Sequence, residues 1–81
     1  MPPWWSWDLE LTPHVEDRME ERGLTELELR RMLVRPADLQ PDHFPGRWLA
    51  ECRVRGETWH VVVEPDVDDE VIVVVTAYRI D

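Results

Sequence analysis

The chain predicts a two-layer α+β domain in the order β-α-α-β-β-β, with a helical hairpin laid over a four-stranded antiparallel sheet. Three observations carry this. Val71 to Ile80 opens with five β-branched aliphatic residues in succession, which favour extended backbone. Between Thr12 and Val34 lie two stretches with helix-cap signatures. Arg47 to Val54 and Thr58 to Glu64 are strand-like runs separated by a glycine turn.

Taken in order, Trp5, Trp7, Leu9 and Leu11 alternate with Ser6, Asp8, Glu10 and Thr12, the period of a strand with one buried face. Trp4 falls in register with the polar side, so it either packs on the proline-rich start or serves as an exposed contact residue. Thr12-Pro13 opens a helix, because threonine can accept from a free amide and proline suits the first helical position. Gly23 closes it, with Val15 and Met19 on its core stripe. Thr25-Glu26-Leu27-Glu28 is a capping box that starts a second helix, and Leu29, Met32 and Leu33 form its apolar stripe. Pro36 stops it soon after Val34. With only Gly23-Leu24 between them, the helices must form a tight hairpin.

Pro36 to Gly46 holds three prolines, Asp38, Asp42, His43 and Phe44 without periodicity, and reads as a loop: a spacer, or a lid over a site. Arg47 to Val54 alternates as a second strand, Arg55-Gly56-Glu57 turns the chain, and Thr58 to Glu64 forms a third. The acidic turn Pro65 to Glu70 leads into Val71 to Ile80. That last run lacks alternation until Thr76, which predicts a central strand covered on both faces.

Eighty-one residues make one domain, which buries roughly 60% of its unfolded surface. Eighteen acidic residues oppose nine basic ones, all arginine, for a formal charge of -9. Such a balance repels polyanions at long range and disfavours RNA unless the arginines cluster. Single Cys52 cannot form an internal disulfide, and no apolar run approaches the roughly 20 residues that span a bilayer. A cytoplasmic protein with no membrane association is expected.

Two groups of residues could carry chemistry. His14, Arg18 and Arg22 recur every four residues along one flank of the first helix, where two guanidinium groups and an imidazole could hold a phosphate. Pairing with Asp17, Glu21 and the second helix accounts for the same spacing. Arg53 shares a strand face with Arg55, and His60 on the next strand could lie across from either; Tyr78 ends the last strand. A base for the 2'-hydroxyl proton, a cation over the phosphate and an acid for the leaving oxygen could come from His60, Arg53 and Tyr78. Packing of a half-buried histidine and a core tyrosine would explain them equally. His14, His43, His60 and Cys52 lack the short spacing of a metal-ligand pair, the acidic turn lacks an EF-hand glycine, and no phosphate-cradling glycine loop is present. No metal and no cofactor are expected.

The run from Thr12 to Thr25 contains His-x-x-x-Arg-Met-x-x-Arg-Gly and resembles the opening helix of a bacterial domain-of-unknown-function family. Gly46-Arg47-Trp48, Trp59 to Glu64 and Val75-Thr76-Ala77-Tyr78 resemble its later strand motifs. That family is similar in layout to the RelE, ParE and BrnT toxins. The resemblance implies a RelE-like fold, a toxin-type endoribonuclease that cuts messenger RNA without a metal, and an antitoxin partner. It carries His14, Arg18, Arg22 and Tyr78 over as matching positions without fixing their roles. RelE-type nucleases are lysine-rich and basic, whereas this chain has no lysine. The other reading is therefore a non-catalytic interaction module on the same scaffold that binds a basic protein partner. A homodimer through the first strand is a further expectation.

Overall fold

A computed structural model describes residues 1–80. A 3-10 turn at Pro3–Ser6 leads into β1 (Asp8–Leu11), α1 (Pro13–Arg22) and α2 (Glu26–Val34). Then come β2 (Asp38–Pro41), β3 (Trp48–Val54), β4 (Glu57–Asp66) and β5 (Val71–Ile80). The strands form one five-stranded sheet in the order β1-β5-β4-β3-β2. β1 runs parallel to β5, and the other three pairings are antiparallel. The α+β class and the two helices agree with the sequence, but the expected four-stranded antiparallel sheet becomes a five-stranded mixed one.

The first strand is shorter than Trp5 to Leu11, because Pro3 begins a 3-10 turn instead of extended chain. In that turn Trp5 donates its indole N–H to the Leu33 carbonyl at 2.8 Å, and Trp4 packs on Trp5 and Trp48 with centroids 5.6 and 5.5 Å apart. The tryptophans therefore follow packing and not strand alternation. The Pro36 to Gly46 loop contains β2, which pairs with β3 from Asp38↔Glu51 to Pro41↔Trp48. Pro41 sits at the outer edge, where its missing donor costs no ladder bond.

Val71 to Ile80 is interior, flanked by β1 and β4, yet it is not covered on both faces. Ile72, Val74 and Ala77 are buried under the helices, while Val71, Val73 and Thr76 are only partly covered and Tyr78 is exposed. Val62 opposes Thr76 but Val63 opposes Val74, so Val75 is an extra residue, a β-bulge that shifts the alternation by one. Thr12 is fastened here: its hydroxyl accepts from the Val15 amide and donates to the Val75 carbonyl, each at 3.1 Å, and its amide donates to Val74. This one residue caps α1 and fixes the helix to β5.

The core lies between the helices and one sheet face. Val15, Met19, Leu24, Leu29, Met32 and Leu33 pack on Ala50, Cys52, Trp59, Val61, Val63 and Ile72, all buried. Full burial of a residue such as Leu29 contributes on the order of 1.5–3 kcal/mol. The Trp59 indole N–H donates to Glu57 at 3.2 Å, so the largest core side chain leaves no orphan donor. No helix among the described residues is long and apolar enough to cross a membrane.

Candidate functional site

The other face of the sheet carries no helix, and the strand register decides which polar residues meet on it. β3 and β4 are joined by a two-residue loop, Arg55 and Gly56, with φ of 52° and 75°. Two positive φ values define the primed turn whose twist matches the flanking strands. Val54 and Glu57 close it, which sets Glu51 opposite His60. On the other side of β4, His60 lies opposite Tyr78 of β5, and Glu51 in turn lies opposite Asp38 of β2. Asp38, Glu51, His60 and Tyr78 thus form a row across four strands.

From Glu51 through His60 to Tyr78 the contacts are direct. His60 Nε2 lies 3.3 Å from Glu51 Oε1, and the imidazole meets the Tyr78 ring edge-on with centroids 5.6 Å apart. The His60 side chain is 22% exposed and Tyr78 44% exposed, so the imidazole is shielded while the phenol stands in solvent. Arg53 is exposed, lies one alternation along β3 from Glu51, and opposes Thr58. It makes no ion pair among the described residues. A carboxylate that orients an imidazole, with a phenol beside it and a free guanidinium close by, can move a proton and meet an anion.

The structure brings three of the six sequence-predicted site residues, Arg53, His60 and Tyr78, onto this open face. His14 is exposed at the start of α1 and shares a hydrogen bond with the Thr76 hydroxyl at 3.1 Å. Thr76 is two residues before Tyr78, so His14 reaches the border of the same face. Arg18 and Arg22 continue along α1, outside the row. Arg18 pairs with Glu21 at 3.7 Å, and Arg22 is exposed in the last turn.

Other arginines are taken up locally. Arg47 donates to Glu64 at 3.2 Å and lies 4.2 Å over the Phe44 ring; Arg79 donates to Glu57 at 3.3 Å. Arg55 reaches Glu28 of α2 at 3.2 Å. The Glu57 carboxyl sits below its ordinary range, chiefly because the Trp59 indole and Arg79 hydrogen-bond to its charged form. No group of three His, Cys, Asp or Glu is placed to hold a metal among the described residues.

Glu51 is the residue that sequence reasoning missed. The signal was present: a two-residue loop at Arg55-Gly56 sets Glu51 opposite His60, whereas counting Glu57 into the turn slides His60 opposite Cys52. The difference is one residue, and it changes which face meets which.

A two-helix layer on a mixed five-stranded sheet, with an acid, an imidazole and a phenol in line on the uncovered face, defines a small α+β domain with a polar sheet site. The chain belongs to the family described as Domain of unknown function (DUF4258), whose profile matches residues 11–79. No curated protein and no solved structure matches the chain.

Proposed function

We propose that this protein is a toxin-type, metal-independent endoribonuclease that acts from the open face of its sheet. The Glu51–His60–Tyr78 row carries the reading. His60 takes the proton of a ribose 2'-hydroxyl while Glu51 holds the ring and stabilises the imidazolium that forms. The 2'-oxygen attacks the adjacent phosphorus, and Arg53 faces the charge that builds on the phosphoryl oxygens. Tyr78 delivers a proton to the departing 5'-oxygen. The products are a 2',3'-cyclic phosphate and a free 5'-hydroxyl. The resemblance of the His14-x-x-x-Arg18-Met19-x-x-Arg22-Gly23 helix to a family similar in layout to the RelE, ParE and BrnT toxins supports the same reading.

The charge of -9 sets the kinetics apart from those of a basic nuclease. Like charges slow the encounter with RNA, and salt screens that repulsion. Cleavage efficiency should therefore rise between low and moderate ionic strength, where a basic nuclease would lose it. The direct test is induced expression in a bacterium, following growth and transcript integrity for the wild type, His60→Gln, and an Arg18→Ala, Arg22→Ala control. Growth arrest with cut transcripts, relieved by His60→Gln alone, is the expected result. Normal growth with intact transcripts would overturn the proposal.

A second reading has its own support. Arg18, Arg47 and Arg79 engage Glu21, Glu64 and Glu57 instead of converging on His60, which favours a non-catalytic module that binds a basic protein partner.

A further inference from the structure

We infer that the outer edge of β1, with the grooves beside it, takes up an extended segment of a basic protein partner, alternately apolar and cationic, as an added strand. The inference gives the interaction reading a place and a partner chemistry, and it is independent of the nuclease reading. β1 pairs with β5 on one side and is the last strand of the sheet on the other. Because the Thr12 amide donates to the Val74 carbonyl, alternation turns the backbone of Glu10 toward β5. The amides and carbonyls of Leu9 and Leu11 are then left facing outward. Such an edge is a template for strand addition.

The side-chain surroundings select the partner. On the helix-covered face, next to Leu9, lies a groove of about 370 Å³ lined by Trp5, Trp7, Leu33, Val34 and Ile72. Its wall is pre-formed, since the Trp5 indole is tied to the Leu33 carbonyl at 2.8 Å, so filling it orders little that is not already ordered. Next to Leu11 a second depression, floored by Met19 and Leu24, is rimmed by Glu16, Glu20 and Glu26. On the open face the exposed side chains of β1 are Asp8 and Glu10. Five carboxylates therefore border one edge, and the one cation lining either hollow, Arg30, is held by Glu26 at 3.4 Å.

An incoming strand would set its apolar side chains over the two hollows on the helix-covered face and its cationic ones beside Asp8 and Glu10 on the open face, while the glutamate rim adds to the attraction for a basic segment. A second copy of this chain fits poorly, because it would bring Asp8 and Glu10 against their own like.

A synthetic peptide of alternating valine and lysine tests this on the full chain. Amide exchange at Leu9 and Leu11 should slow by at least about tenfold when the peptide binds. Methylating the peptide nitrogens that face β1 should abolish binding. Asp8→Lys with Glu10→Lys should weaken binding by about tenfold or more and admit a valine-glutamate peptide instead.

Undiminished binding of the methylated peptide, peptide binding with unchanged exchange at Leu9 and Leu11, or no binding of the peptide would each overturn the inference. So would protection of Leu9 and Leu11 in a peptide-free dimer. RNA cleavage measured on the same double variant should not fall, since neither residue belongs to the Glu51–His60–Tyr78 row and the change only eases the repulsion of RNA. Loss of peptide binding and loss of cleavage thus report on different proposals.

Discussion

The two faces of one sheet follow different rules. Beneath the helices, β3, β4 and β5 present Ala50, Cys52, Trp59, Val61, Val63, Ile72, Val74 and Ala77, all buried, with the Trp59 donor satisfied at the rim. On the opposite face the same three strands present Glu51, Arg53, His60 and Tyr78. Packing explains the first set completely, because each member removes apolar area from water. It does not require the second set, since threonine or valine would serve a solvated sheet face as well. Residue choices that stability does not demand are where function is to be sought, and here they line up.

This contrast can be broken by mutation. The largest loss of stability should come from Trp59→Ala on the covered face, about 3–5 kcal/mol as read by urea unfolding, because a cavity opens in the middle of the core. A loss below about 1 kcal/mol would mean that the helices do not hold that face as described. Thr25→Ala at the start of α2 should cost about 1 kcal/mol, since its hydroxyl accepts from the Glu28 amide at 3.1 Å. The Glu28 carboxyl is held below its ordinary range, mainly by the Thr25 backbone amide, so its share of the cap exists above that range and is lost as pH falls through it. Thr25→Ala keeps that backbone amide, so the acid-side slope should largely persist in it, whereas Glu28→Gln should flatten it.

Burial pushes the Cys52 thiol up to about 12, so at neutral pH it stays protonated and unreactive toward alkylating reagents until the chain unfolds. The unfolded thiol loses its proton near 9.0, and from there toward about 12 the native state binds more protons than the unfolded one. Stability should accordingly fall with rising pH across that window, and Cys52→Ala should remove that part of the slope. The smallest effect on stability belongs to the open face, where His60→Gln should change unfolding free energy by no more than about 0.5 kcal/mol.

Much of this contrast was legible in the residues. Caps and stops are local chemistry, so both helices follow from Thr12-Pro13, Gly23 and the Thr25–Glu28 box. Val71 to Ile80 was placed correctly as a strand, but its two faces were misjudged. A run of valines looks the same whether one side or both are covered, and the Val75 bulge hides the alternation. β2 escaped notice because Asp38 to Pro41 owes its extended state to its neighbour β3 and not to its own composition. The parallel pairing of β1 with β5 is a long-range choice that no local pattern encodes. His60 and Tyr78 could be named from sequence, but their alignment with Glu51 depends on one residue of hairpin register.

The claim that the open face performs chemistry is tested most directly with purified protein and RNA. Its products are examined for 2',3'-cyclic phosphate and 5'-hydroxyl ends, with wild type and His60→Gln side by side. Cleavage to those ends by the wild type, reduced about 10²- to 10⁴-fold in a His60→Gln protein of unchanged stability, is the predicted result. Equal cleavage by the two proteins, or intact RNA with both, would contradict it.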